Sequence, residues 1–566
     1  MENYSEVRRH IEYPNLTMFQ MIEQSAKENP NAPAYEFFGK TTTYRQFVQK
    51  IERAARAFKA AGIRRGDAVT ICMPNTPQAL DCFYALNRIG AICNMVHPLS
   101  AQKEITFYLD FSESRMILTM DMFYEKVNAA IEECTHPVTI LTTRMQDELD
   151  LLKSIGFFIT QGRKYQKYPN TQRGMLWTSF LTKGAPSEKL PDPIYDPKAT
   201  AAILYSGGTS GTPKGICLSD QNFNATALQA REAIQQPLGF GDKMLSCMPV
   251  FHGFGLGINI HTALTAGALC ILMPTFTTKS YAEMLAKKQP NYIAGVPTIF
   301  EALLHIKELD GVDLSCLKGM FCGGDALSVE LKKKVDKFLH EHNASIQIRE
   351  GYGLTECVTA SCLTPKDTYR ENSIGLPFPD TEYCIVQPGT DEELPAGKEG
   401  EIILKGPSVM IGYLKNPEET AQTLRRLADG DTWLFTGDLG YMDEDGYVYF
   451  RQRIKRMIIT NGYNVYPGQI ENIIDSLDEV AYSCVIGVKD PHRMQRVKAY
   501  VVLKPGFKGD EAMKKKILEE LKIHVAKYAI PREIEFRDDL PKTLVGKVAY
   551  RKLEEEANKM EDAKTE

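Results

Sequence analysis

The stretch from Tyr205 to Ser219 reads Tyr-Ser-Gly-Gly-Thr-Ser-Gly-Thr-Pro-Lys-Gly-Ile-Cys-Leu-Ser. Four glycines, two threonines and two serines fall between Tyr205 and Gly215, with one lysine, Lys214. Such a loop can turn several backbone N–H groups and hydroxyls onto one anion, and Lys214 adds positive charge. The apolar runs Ala201–Leu204 and Ile216–Leu218 on either side predict strands, which a flexible Gly/Ser linker would not have. The spacing is not that of a Walker A loop, because Pro213 stands where the second glycine should precede the lysine.

Four further groups follow in order: Gly351-Tyr352-Gly353-Leu354-Thr355-Glu356, Thr436-Gly437-Asp438, Arg453-Ile454-Lys455, and Pro541-Lys542-Thr543-Leu544-Val545-Gly546-Lys547. Alone, each has a plain alternative: a tight turn, a Gly-Asp turn, a surface lysine. In this order behind the phosphate loop, they resemble the adenylate-forming superfamily. That superfamily contains acyl-CoA synthetases, firefly luciferase and peptide-synthetase adenylation domains. The similarity spans most of the chain and points to the acyl-CoA synthetase branch, of fatty acyl-CoA ligase type.

The resemblance implies an acid–thiol ligase. A carboxylate has no acceptable leaving group until it is joined to AMP; a thiol can then displace AMP. Positioning and charge neutralisation are the main demands on the protein. The resemblance assigns Thr209, Ser210, Gly211, Thr212 and Lys214 to the β- and γ-phosphates of ATP, with Gly323 and Gly324 also in the nucleotide site. Tyr352 offers a flat face to adenine, Thr355 a hydrogen bond to the α-phosphate, and Glu356 a ligand for Mg²⁺, which commonly takes one or two carboxylates plus phosphate oxygens. Asp438 and Arg453 are the ribose contacts. Lys547 is the mobile lysine that steadies charge during adenylation. Lys455 is the hinge about which the small domain rotates, bringing Gly462 toward the thiol channel. Candidate CoA phosphate contacts are Arg456, Lys489, Arg493 and Arg496. Gln452 and Gln469 stand where the family commonly has glycine and glutamate.

The elements that must position these groups follow from patterning. Helical patterns at Phe47–Ala61 and Gln78–Ile89 alternate with strand patterns at Ala68–Met73 and Ala91–Val96. The alternation returns at Lys243–Met248, Asn291–Gly295 and Gly319–Cys322, which predicts α/β layers with largely parallel sheets. Residues 155–195 break the rhythm. Their basic aromatic run, Arg163-Lys164-Tyr165-Gln166-Lys167, reads as a solvated insertion. Beyond Phe450 a separate pattern of short strands and helices covers about 110 residues. The expected fold is therefore α/β: a large N-terminal multi-subdomain α/β domain (1–452) and a small mobile C-terminal α+β domain (453–566), with Glu554–Glu566 fraying.

Composition excludes several classes. A 566-residue chain with 43% hydrophobic and 25% charged residues has the balance of a globular enzyme, and a net charge of −5 favours no nucleic-acid partner. Lys332-Lys333-Lys334 and Lys514-Lys515-Lys516 read as solvated helix faces. Thirteen scattered cysteines without Cys-x-x-Cys suit a reduced, cytoplasmic protein rather than a disulfide framework. Gly253–Pro274 carries no formal charge, but its four glycines and polar residues point to a buried helix ending near Gly267, then a strand from Ala268 to Met273. No transmembrane segment is expected.

The acyl pocket implied by the resemblance is bounded by His252, Phe254, Gly295, Val296, Gly351 and Gly353, with His252 as a carboxylate contact or gate. Acetate-specific relatives place tryptophan at the position of Gly353, so glycine there argues for a roomier pocket. The wall segments carry no charge except His252, if protonated. A medium- or long-chain fatty acid fits first and an aryl acid of the cinnamate type second, with ATP, Mg²⁺ and CoA as cofactors. An acyl carrier protein as acceptor and a homodimer remain open. From a different class, a catalytically inactive nucleotide- or lipid-binding regulator is the alternative.

Overall fold

The computed structural model describes residues 10–160, 174–184, 189–206, 213–460, 463–465, 467–490, 494–543 and 548–565. Thr209, Ser210, Gly211, Thr212, Gly462, Arg493 and Lys547 lie outside the described residues.

Two large sheets form the frame. The first has nine strands in the order Leu376–Pro377, Cys362–Leu363, Ile348–Tyr352, Gly319–Cys322, Tyr292–Gly295, Lys243–Ser246, Leu269–Leu272, Pro33–Phe37 and Lys40–Thr43. Its six central strands are parallel and the outer pairs antiparallel. The second has eight strands, parallel from Ala202–Ser206 through Ile92–Met95, Ala68–Cys72, Met116–Met120 and Thr139–Thr143 to Gly174–Leu176. Its other edge, Lys214–Leu218 and Gly412–Tyr413, is antiparallel. Strands buried on both faces, such as Ala68–Cys72, read as continuous apolar runs for this reason.

Local chemistry fixes the helices between them. Thr43 and Gln46 form a capping box at the start of Tyr44–Ala60, and Thr17 and Gln20 do the same for Met18–Glu28. Pro77 opens the helix Pro77–Arg88, where its missing N–H costs nothing.

A third, antiparallel sheet (Glu382–Val386, Gly400–Lys405, Thr432–Met442, Leu424–Arg426 and Val448–Arg453) follows the first two. The small C-terminal sheet begins at Ile458 and joins Ile458–Thr460, Tyr463–Val465, Val480–Asp490, Met494–Leu503 and Glu533–Phe536. The apolar cores part between Val448 and Ile458: one runs from Met18 to Val448, another from Ile458 to Ile534.

The structure corrects several expectations. The uncharged segment is a π-helix over Phe254–Thr262 that continues as Ala263–Thr265, followed by the strand Leu269–Leu272. Glycine spacing marked a buried helix but not its wider winding, which is set by what it packs against. Residues 163–167 of the insertion lie outside the described residues; of those described, Gly174–Leu176 adds an edge strand, and Trp177 and Phe180 pack on Phe58. Before it, the helix Leu151–Thr160 leaves Leu152, Ile155 and Ile159 exposed. The C-terminal segment is helical over Tyr550–Thr565 because Leu553 and Ala557 are buried against the small sheet and Glu556 pairs with Arg537. Lys332 is buried rather than solvated, paired with Asp336 at 2.6 Å and lying over the Tyr369 ring. All thirteen cysteines are thiols, ten of them buried. Among the described residues no helix is long and apolar enough to cross a membrane.

Candidate active site

The sheets converge on one cleft of about 1800 Å³ that reaches both domains. At one end, the register of two neighbouring strands sets Asp438 opposite Arg453, with Arg453 Nε 3.3 Å from Asp438 Oδ1. Tyr352, at the end of its strand, donates its hydroxyl to Asp438 Oδ2 at 2.6 Å. The carboxylate is 1% exposed. Burial and the adjacent Asp438 hold the Tyr352 phenol well above its ordinary pKa, so it remains a donor. Asp438 raises Arg453 in turn. Phe450 lies 5.9 Å from the Tyr352 ring, so an aromatic platform adjoins the carboxylate. Ribose and adenine contacts expected from separate motifs thus form one cluster.

Lys214 and Glu356 meet on a residue that the motifs did not mark. Tyr413 donates its hydroxyl to Glu356 Oε1 at 2.9 Å, and Lys214 Nζ lies 4.8 Å above the Tyr413 ring while pairing with Glu419. The position follows from register: Tyr413 pairs with Ile216 on the strand that Lys214 opens, and Ser206 pairs with Lys214 on the neighbouring antiparallel strand. Burial and Glu356 hold the Tyr413 phenol far above its usual range, so it too stays protonated. No cluster of three or more His, Cys, Asp or Glu side chains suited to a metal occurs among the described residues. A hard cation here would rest on Glu356 and substrate phosphate oxygens. The donor set fits Mg²⁺ in that way.

Glu356 lies in a 3-10 turn, Thr355–Cys357, and the next residue, Val358, has φ 64° and ψ −59°. Thr359 N donates to Cys357 O at 2.7 Å, closing a γ-turn of the strained, positive-φ kind. The π-helix presses on this turn with its glycines. A Cβ on Gly253 would stand 1.7 Å from Val358 O, and one on Gly257 would stand 2.9 Å from Val358 Cγ1. The wall of the acyl side therefore braces the loop that carries Glu356. Burial pushes the Cys357 thiol up to about 11, which suits a packed side chain and not a nucleophile.

On the side expected to take the acyl group, His252 accepts a hydrogen bond from Phe254 N on Nδ1 at 3.2 Å. Phe254 lines the cleft, and Gly323 keeps it open: a Cβ there would meet the Phe254 ring at 3.6 Å and Gly351 O at 3.3 Å. Gly324 has φ 82°, which favours glycine. His97, which no motif signalled, packs at a tilt on Phe251 with ring centroids 4.2 Å apart and also lines the cleft. Glu350, immediately before Gly351, is another cleft residue without a motif; burial pushes it up to about 7 despite a hydrogen bond from Leu327 N.

Two expectations about the walls change. Gly353 lines the cleft, but its missing side chain would point into Thr359 O at 1.9 Å, so close backbone approach, not pocket room, requires glycine there. Gly295 packs under the Phe300 ring, and Pro297 and Thr298 form the wall in place of Gly295 and Val296. Of the CoA candidates, Arg456 lines the cleft while paired with Glu471 and lying over the Tyr550 ring, and Arg496 pairs with Glu561 at 2.7 Å. Lys489 sits on the strand Val480–Asp490, where its backbone N–H donates to Asn558, and does not line the cleft. Lys455 falls in the 3-10 turn Ile454–Arg456 between the two domains.

Residues 22–414 match the AMP-binding enzyme family and 469–547 the AMP-binding enzyme C-terminal domain. The long-chain-fatty-acid–CoA ligase of Bacillus subtilis (strain 168) is 35% identical over 563 residues, covering 98% of this chain and 96% of that one. The enzyme of the same name from Salmonella typhimurium (strain LT2) is 30% identical, covering 97% and 96%. ATP-bound MatB from Rhodopseudomonas palustris superposes with a TM-score of 0.82 at 26% identity, covering 96% of this chain and 100% of that one. With both domains matched in order and curated relatives aligned along nearly its full length, the chain belongs to the AMP-binding enzyme family, in its acyl-CoA synthetase branch.

Proposed function

We propose that the chain is an AMP-forming acid–thiol ligase. It converts a medium- or long-chain fatty acid, ATP and CoA into acyl-CoA, AMP and pyrophosphate. The observation that carries this reading is the single cleft joining apolar walls at Phe254 and Ile258 to the Tyr352–Asp438–Arg453 cluster, with Gly351–Thr355 between them. The fatty-acid ligases it resembles support the choice of acid.

In the first half-reaction, an oxygen of the acyl carboxylate attacks the α-phosphorus of ATP and pyrophosphate leaves. Tyr352, Asp438 and Arg453 hold the adenosine, while Thr355 and Lys214 orient the phosphates. His252 stands where the carboxylate enters. Mg²⁺ at Glu356 supplies charge neutralisation when bound. In the second half-reaction, the CoA thiolate attacks the acyl carbon and AMP departs. Lys547 acts in the first half-reaction, and the domain 453–566 turns about Lys455 between the two.

The test is pyrophosphate release from ATP and Mg²⁺ against acetate, octanoate, palmitate, benzoate and cinnamate, with and without CoA. Release that needs a fatty acid and turns over with CoA is expected. Release that CoA does not accelerate would indicate a carrier-protein acceptor, and release with cinnamate alone an aryl ligase. No release with any acid would overturn the reading. Lys547→Ala should abolish acyl-adenylate formation and largely spare thioester formation from supplied acyl-adenylate.

A further inference from the structure

The acyl end of the cleft closes on a thin wall. A second cleft, of about 560 Å³, lies on the other side of it. Two helices give residues to both spaces. From the helix Asp220–Ala233, Ala230 faces the main cleft, whereas Leu228 and Arg231 face the second. Along the π-helix and its continuation, Thr262 faces inward and Thr265 outward. Among the described residues, Leu238 alone lines both.

The backbone around Leu238 is tied down. Arg349 caps the preceding helix, donating to Ala233 O at 2.8 Å and Ile234 O at 2.6 Å. Tyr292 donates its hydroxyl to Pro237 O at 2.5 Å, and Gly239 N donates to Asp242 Oδ2 at 3.1 Å. What can move is the Leu238 side chain, which is only partly buried and has alternative staggered rotamers. The second cleft is open at its far side, where Glu12, Gln24 and Glu28 are exposed. Apolar groups of the second cleft beside Leu238 are Leu228, Phe240, Ala266 and Met21, while Ser25, Arg231 and Thr265 add polar groups to its lining.

We propose that Leu238 sets the upper chain length of the acid, and that the second cleft is a subsite for the ω end of acids too long for the closed cavity. The inference rests on the fatty-acid reading above. Shorter acids end inside the wall and do not sense the residue at position 238. Longer ones turn its side chain aside, and each methylene that leaves water for the apolar part of the second cleft improves binding by at most about fourfold.

The experiment compares kcat/KM for octanoate, palmitate and docosanoate in the wild-type chain, Leu238→Ala and Leu238→Trp, with thermal denaturation as a check on folding. Leu238→Trp should lower the docosanoate-to-octanoate ratio about tenfold or more, and Leu238→Ala should raise it, with octanoate turnover nearly unchanged in both. If the tryptophan variant does not fold, the alanine variant alone decides. Folded, active variants with unchanged ratios would overturn the role of Leu238 and leave the ligase reading intact. A wild-type chain that activates none of the three acids would overturn both.

Discussion

The two ends of the cleft, proposed above as the acyl side and the nucleotide side, are held in shape by different forces. On the acyl side, backbone meets backbone: the positions of Gly253 and Gly255 leave 1.7 Å and 2.1 Å between an added Cβ and the nearest carbonyl oxygens. Repulsion at such distances rises steeply, so this wall has one arrangement and little tolerance. On the nucleotide side, charged and hydroxyl groups hold each other, as in Tyr352–Asp438–Arg453 and Lys214–Glu419. Such partners can be exchanged for substrate groups of like chemistry, which suits a site that must take up ATP and release AMP. The acyl wall is a fixed mould and the nucleotide site a set of replaceable contacts.

The sharpest way to break this contrast is Gly253→Ala. Its Cβ can be accommodated only by displacing Val358 and the turn bearing Glu356, so we expect a loss on the order of 3 kcal/mol in chemical denaturation and adenylation reduced about 100-fold. Gly323→Ala is the milder comparison: its Cβ would meet Gly351 O at 3.3 Å and the Phe254 ring at 3.6 Å, which a small shift relieves, so it should lose much less stability than Gly253→Ala. Near-equal stability of the two variants would remove the fixed-mould description.

On the nucleotide side, Asp438→Asn should lower kcat/KM for ATP about 10- to 100-fold, because hydrogen bonds to the charged group are lost, with KM for the acid nearly unchanged. Loss of acid binding to the same degree would show that the two sides are not independent.

A smaller effect is expected from His261 in the mould itself. Its Nδ1 lies 3.1 Å from the Tyr84 hydroxyl and its Nε2 2.9 Å from Asn224 Oδ1, which suits the neutral ring with the proton on Nε2. Burial lowers its pKa from 6.5 to about 3. The unfolded state therefore binds the proton more readily. The stability this residue contributes is present above pH 6.5 and is lost as pH falls toward 3. Stability should drop by about 2 kcal/mol between pH 6.5 and 5 from this residue, at about 1.4 kcal/mol per unit. Urea unfolding of wild type and His261→Gln across that range measures it; parallel curves would exclude the effect.

The smallest change is expected at Glu419→Gln. Removing the partner of Lys214 should leave the lysine free for phosphate and lower KM for ATP by about two- to threefold. A rise instead would mean that Glu419 positions Lys214 rather than competing with phosphate for it.

Much of the frame was legible because it depends on short-range pattern. The strands at Ala202–Ser206 and Lys214–Leu218 and the helix ending before Gly267 all lie within a few residues of their expected limits. The errors arose where a residue's role depends on distant neighbours. Glu554–Glu566 looks like a polar tail until Leu553 and Ala557 are seen under the small sheet. Lys332 looks solvated until Asp336 and Tyr369 enclose it. Gly353 suggests an open pocket, yet its constraint comes from the backbone at Thr359.

By itself, the sequence determined the α/β layering, the two strands that flank the glycine-rich loop and the order of the motifs, because hydrogen-bonded periodicity and turn chemistry act over a few residues. Only the tertiary structure decided that Asp438 takes the Tyr352 hydroxyl from 86 positions away, and that Tyr413 stands between Lys214 and Glu356. It alone placed a π-helix against the Glu356 turn and a single leucine between two cavities. Those contacts depend on strand register and on which backbones approach within a van der Waals radius. Neither is encoded in any one segment; both are set when the sheets pack together.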